Sequence, residues 1–128
     1  MNFENITYQT IDWAFIPKTE HPGEKGKAFW QTLQFEGLRI RIVEYSPGYI
    51  ADHWCQKGHI VHCLEGEVYS ELHNNDIHIL EKGMTYVVSD GMSLHRSKTT
   101  TGCKLLIIDG DFLKYQKNKI FKEVSYNL

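Results

Sequence analysis

The chain has 128 residues, 41% hydrophobic and 23% charged, with 14 Lys and Arg against 16 Asp and Glu and a formal net charge of −2. That length suits one domain with a real core and is too short for two. No Lys/Arg run leaves a footprint for nucleic acid or an anionic membrane surface, and no apolar stretch nears the roughly 20 residues that span a bilayer.

From the N-terminus, MNFENITYQTIDWAFIPKTE carries Glu4 and Asp12 and has no basic start or apolar run, so no secretory signal is expected. Residues 1–28 read as an irregular arm, because Pro17, Pro22, Gly23 and Gly26 interrupt any period. Trp13, Phe15, Phe29 and Trp30 flank that segment, so the arm is expected to pack on something.

Residues 29–128 form the predicted domain. LRIRIVEY, residues 38–45, begins with Leu38, Ile40 and Ile42 alternating against Arg39, Arg41 and Val43, which is the period of a strand. Turn signals then recur at short intervals: Glu36-Gly37, Ser46-Pro47-Gly48, Gln56-Lys57-Gly58, Glu65-Gly66, Asn74-Asn75-Asp76, Glu81-Lys82-Gly83, Ser89-Asp90-Gly91, Thr101-Gly102 and Asp109-Gly110. Runs rich in β-branched, aliphatic and aromatic residues, such as TYVV and LLIID, lie between them. Short strands evenly punctuated by turns predict an all-β antiparallel sandwich or barrel. A helical period shows only in FLKYQKNKIFKEV near the C-terminus.

Residues 49–68, YIADHWCQKGHIVHCLEGEV, hold three of the seven histidines and two of the three cysteines. Read as a strand, 49–55 puts Tyr49, Ala51, His53 and Cys55 on one face. Gln56-Lys57-Gly58 then makes a three-residue hairpin loop, with Cys55 opposite His59, His53 opposite Val61 and Cys63 opposite Ala51. On that register His53, Cys55 and His59 converge, while His62 has the opposite parity and points away. Opposed β-carbons lie about 4.5–5.5 Å apart, close enough for side chains to share one ion. His95, in GMSLHRS, is the leading candidate for a fourth ligand. The competing reading is a strand-rich core in which histidines are hydrogen-bonded and free cysteines are simply buried.

These residues resemble a known pattern. The first motif of the cupins runs Gly, five residues, His-x-His, three or four residues, Glu, six residues, Gly; this chain has Gly48, then His53-Trp54-Cys55, then His59, then Gly66. The second runs Gly, five residues, Pro-x-Gly, two residues, His, three residues, Asn; here stand Gly83, Ser89-Asp90-Gly91, His95 and Thr99. The string Asp52-His53-Trp54-Cys55 also resembles a cupin subgroup named for a four-letter Asp/His/Cys/Trp (DHCW) motif. The resemblance spans about residues 37–110 and implies a cupin-type β-barrel, a double-stranded β-helix or jelly roll.

It also implies one divalent transition metal on His53, Cys55, His59 and His95. Cys55 replaces the second histidine and His59 stands where the pattern has Glu, so the four positions keep donors of altered softness. A thiolate favours zinc or iron, with nickel or copper admitted, over manganese or magnesium. Four ligands would close the site. If Cys55 stays off the metal, three histidines hold it and a water or substrate can enter.

The implied function is a metal-dependent enzyme of dioxygenase, isomerase or lyase type acting on a small polar metabolite. A non-catalytic binding or sensing module and a structural zinc barrel are the alternatives. No residue is assigned a catalytic role. The partners expected are a small-molecule ligand and a second copy in a homodimer, with neither nucleic acid nor membrane. The odd cysteine count fits reduced thiols and a cytoplasmic location.

Four further readings concern single residues. His73 and His78 flank a polar turn and are expected in solvent. Glu20, His21 and Glu24 either cap the barrel mouth or lie in a solvated loop. Arg39, Arg41 and Arg96 either reach into the barrel toward a carboxylate or pair with Glu44 or Asp52. Tyr86 is expected in the core or lining the pocket.

Overall fold

The structure, a computed structural model, describes residues 5–114. Eight strands follow in chain order: β1 Thr19–Pro22, β2 Lys27–Phe35, β3 Leu38–Tyr45, β4 His59–Leu72, β5 Ile77–Glu81, β6 Thr85–Val88, β7 His95–Lys98 and β8 Cys103–Gly110. Every strand pair is antiparallel, in the order β1-β2-β3-β8-β4-β5, with β6 and β7 also on β4. Among the described residues the only helical elements are two short 3₁₀ turns, and no helix is long and apolar enough to cross a membrane. The helical period read in FLKYQKNKIFKEV lies mostly outside the described residues, and its first two residues, Phe112 and Leu113, fall in the 3₁₀ turn Asp111–Leu113.

β4 organises the architecture. Its first half pairs with β8 on one side and β6 on the other, and its second half pairs with β5 and β7. Between the halves the register slips at Cys63/Glu65, and Gly66 takes φ +74°. Glu65-Gly66, expected as a turn, is therefore a β-bulge that carries one long strand from one sheet to the other. Only glycine fits there: a methyl on Gly66 would meet the Gly102 carbonyl oxygen at 2.3 Å.

The arm contributes to the sheet. Residues 19–22 pair with β2, and Gln31 on the outer face of β2 donates from Nε2 to the carbonyls of Trp13 and Ile16, at 2.7 and 2.9 Å. Asp12 caps the turn at Trp13–Phe15 by accepting from the Ala14 N–H.

Inside, the alternation sorts chemistry along the barrel. Val43, Val61, Cys63, Val68, Leu80, Leu105 and Ile107 form the apolar floor. Toward the other end, inward positions of the same strands carry Arg41, His59 and Asp109, all buried. Polar groups buried at that density require mutual pairing.

Candidate metal centre

The segment before β4 departs from its predicted form. Residues 49–58 make no hairpin with β4; they cross to β7, with Tyr49 O accepting from Thr99 N, Ala51 N donating to Ser97 O, and Cys55 and His95 exchanging both backbone hydrogen bonds at 2.8 and 3.1 Å. The reason is edge availability. His59 is already paired with Val88 of β6 and Ile60 with Ile108 of β8, so β4 has no free edge to offer. Cys63 consequently sits opposite Leu105 in the floor, away from Ala51.

Cys55, His59 and His95 nevertheless converge, with one donor atom from each lying within 4.8 Å of the others. The two rings stand edge to face, centroids 5.4 Å apart at 80°. Hydrogen bonds settle which nitrogen faces the shared point. Nδ1 of His59 lies 3.0 Å from Asp109 Oδ2, and Nδ1 of His95 lies 3.0 Å from the Ser93 carbonyl. Both partners only accept, so each Nδ1 carries a proton and each ring turns its Nε2 inward. Burial lowers the His59 pKa, but hydrogen bonds to Asp109 and Cys55 outweigh it and raise it.

His95 Nε2 is buried and has no hydrogen-bond partner among the described residues. His59 Nε2 lies 3.5 Å from Cys55 Sγ. Two donors on one tetrahedral ion, with bonds of about 2.05 and 2.3 Å, stand roughly 3.5 Å apart, so the spacing fits. Burial would push the Cys55 thiol up, but hydrogen bonding to His59 and His95 and to the Lys57 backbone outweighs it and holds it at about 5. The sulfur is thus poised as a thiolate, the form that binds metals.

His53 stands apart from this group. Its side chain is 73% exposed and its Nδ1 lies 2.6 Å from Asp52 Oδ1. His62, as parity predicts, points elsewhere, to Thr85 Oγ1 at 2.8 Å.

Behind His59 lies a residue the turn reading of Asp109-Gly110 missed. Asp109 is 1% exposed; Arg39 donates to it from Nε and Nη2 at 2.9 and 3.0 Å, and Arg41 from Nη2 at 3.1 Å. Burial opposes its ionisation, yet the His59 and Arg39 hydrogen bonds and the Arg41 charge hold its carboxyl well below the usual range. The available signal was parity, since Leu105, Ile107 and Asp109 share one face of LLIID. Arg39 and Arg41 therefore pair with Asp109 and not with Glu44, which takes Lys18 and Lys104; Arg96 pairs with Glu71 and Glu24 and not with Asp52.

The three donors open onto a cavity of about 380 Å³ that Tyr86 and Arg96 also line. Glu20 and Glu24 are exposed, in ion pairs with Lys27 and Arg96, while His21 stacks on Trp30 at 3.8 Å. His73 and His78 are exposed, as expected.

By sequence, no protein-family model and no curated protein matches the chain, so the likeness to the DHCW subgroup rests on residues 52–55 alone. Solved structures do match. A predicted oxalate decarboxylase from Thermotoga maritima superposes with TM-score 0.68 at 14% identity, over 80% of this chain and 99% of that one. An RmlC-like cupin from Shewanella frigidimarina gives 0.65 at 16%, over 81% and 91%. A cupin-superfamily sugar phosphate isomerase from Silicibacter pomeroyi gives 0.64 at 15%, over 80% and 76%. With antiparallel strands throughout, one long strand passing between two sheets, and neighbours of this kind, the fold of this chain is that of the cupins.

Proposed function

We propose that the protein is a metal-dependent enzyme acting on a small polar molecule, with one divalent transition metal held by Cys55, His59 and His95. The observation that carries this is the buried, unpartnered Nε2 of His95, aimed at the same point as His59 Nε2 and the Cys55 sulfur. A buried nitrogen lone pair is costly unless something fills it, and two histidines and a thiolate suit zinc or iron(II).

Each residue has a defined task. Asp109 fixes the His59 tautomer and ring plane, and Arg39 and Arg41 hold Asp109 ionised. The Ser93 carbonyl does for His95 what Asp109 does for His59. Tyr86, edge-on to His95 at 6.1 Å, narrows the cavity on that side. A bound metal would supply Lewis-acid or redox chemistry to a molecule in the adjoining cavity. Three converging donors, with a cavity beside them, favour an open site over a closed structural one.

Elemental analysis of untagged protein expressed with zinc and iron supplied tests the centre. About one metal per chain is expected, lost in His59→Ala and His95→Ala and retained in His53→Ala. Wild-type protein without metal would overturn the proposal.

A binding or sensing module is the second reading, because among the described residues no carboxylate lines the cavity to serve as an acid or base. Turnover of any small metabolite by metal-loaded protein, abolished in His95→Ala, separates the two.

A further inference from the structure

The cavity beside the three donors is electrically one-sided. Arg39, Arg41, Lys57 and Arg96 line it, and among the described residues no Asp or Glu does, which leaves the Cys55 sulfur, spoken for by the metal, as its anionic group. Charge alone would say little, because Arg39 and Arg41 already share Asp109 and Arg96 is shared by Glu24 and Glu71. The informative atoms are those the pairing leaves over.

Arg41 and Arg96 are held in the same way. Each spends Nη groups on carboxylates: Arg41 donates from Nη2 to Asp109, and Arg96 from Nη2 and Nη1 to Glu71 and Glu24. Each lays its guanidinium against an indole, Arg41 over Trp30 at 4.4 Å and Arg96 over Trp54 at 5.0 Å. Each is left with a buried Nε–H that has no partner among the described residues. The indole and the carboxylates fix the plane, so neither donor can turn to find one. A buried donor left unmade carries the full cost of its desolvation, and two of them on residues that line one cavity ask for a ligand with acceptor oxygens.

The charge count favours an anion at the Arg41 end. There two guanidiniums face the single negative charge of Asp109, a surplus of one positive charge, whereas the Arg96 end carries Glu24 and Glu71 and is not in surplus. The cavity volume, about 380 Å³, lies toward the small end of the roughly 300–1,000 Å³ typical of ligand pockets, which suits a compact molecule. Its floor is apolar, with Val61, Val68, Leu105 and Ile107 on the lining.

We propose that the cavity binds a compact organic carboxylate, with the carboxylate accepting from Arg41 Nε–H and a second acceptor oxygen of the ligand accepting from Arg96 Nε–H. The charge-assisted bond at Arg41 supplies most of the affinity, and Arg96 sets which end of the molecule faces it. This deepens the reading of the cavity as the substrate site, but it is measured separately from the metal.

The test is calorimetric titration of metal-loaded protein with succinate, glycolate and benzoate. Succinamide serves as the neutral isostere of succinate, and inorganic phosphate as the competing oxyanion. At least one carboxylate is expected to saturate a single site; if it is succinate, succinamide should bind at least tenfold more weakly. Arg41→Gln should weaken the carboxylate at least tenfold, and Arg96→Gln severalfold, each titrated after loading to one metal per chain, with metal content unchanged in Arg96→Gln. Should Arg41→Gln not fold, Arg96→Gln carries the test, since that side chain is 26% exposed and less embedded.

No binding by any of the three carboxylates overturns the proposal. So do equal affinities for succinate and succinamide, tighter binding of phosphate, or variants that bind as wild type does. Metal content is read on the same samples. Protein that holds metal and binds no carboxylate would sink this proposal and leave the metal centre standing.

Discussion

Replacing Asp109 by Asn keeps the volume and one acceptor oxygen but removes the charge that two arginines and His59 share. Asp109 is 1% exposed and the Arg41 side chain 6%, so Arg41 is left buried beside a neutral amide. Removing one partner of a buried ion pair costs about 3–5 kcal/mol. The Arg39 side chain, 25% exposed, can recover hydration, which moves the expected loss toward about 3 kcal/mol. For 128 residues at about 2.1 cal/mol/K each, the unfolding entropy near Tm is roughly 0.27 kcal/mol/K, so 3 kcal/mol corresponds to a fall of about 11 °C. The same change loosens His59, and loss of such a supporting carboxylate weakens metal binding about 10–100-fold. Differential scanning calorimetry of metal-free protein, with a competition titration against a chelator, reads both effects. An Asn variant melting within about 2 °C of wild type and holding metal as tightly would refute the role assigned to Asp109.

The remaining predictions address the thiols, the bulge, the floor and the arm. In metal-free protein near neutral pH, iodoacetamide should label Cys55 first, because its thiol is held at about 5 while burial pushes Cys103 up to about 12 and Cys63 is wholly buried; loading zinc should protect Cys55, and rapid labelling of zinc-loaded protein would count against its being a ligand. Gly48→Ala should cost about 1–2 kcal/mol by chemical denaturation, from the left-handed backbone at φ +79° alone. Gly66→Ala should cost more, because its methyl also meets the Gly102 carbonyl, and equal losses would contradict that contact. Leu105→Ala, in the floor, should lose about 2–5 kcal/mol yet leave metal content intact, so metal loss in a folded variant would show that floor and centre are not separable. Tyr8 and Phe15 of the arm are 94% and 84% exposed, which fits the homodimer expected from the sequence; light scattering at micromolar concentration should give twice the chain mass, and a monomer would refute it.

What local pattern can say, it said. The alternation of LRIRIVEY coincides with β3 at Leu38–Tyr45, and strands separated by Gly and Asn turns are what the recurrent turn signals describe. Parity alone directs His62 away from Cys55 and His59, and the resemblance in the glycine and histidine frame points to His95 as their companion. Such features depend on neighbours a few residues away, because side chains alternate along a strand whatever it pairs with. Partner choice is different. Whether residues 49–55 lie against β4 or β7 depends on which edges remain free once β6 and β8 have paired with β4, and no residue in 49–55 encodes that. The consequence reaches the site: Cys55 meets His59 across the cavity instead of around a hairpin, and His53 is left in solvent beside Asp52. Asp109 shows the same limit. Beside Gly110 it reads as a turn, and only the closing of β8 between β3 and β4 brings Arg39, Arg41 and His59 around it, making a carboxylate stable where the chain otherwise buries Leu105 and Ile107. Periodicity determines the face a residue takes; the order of strands around the barrel determines what that face meets.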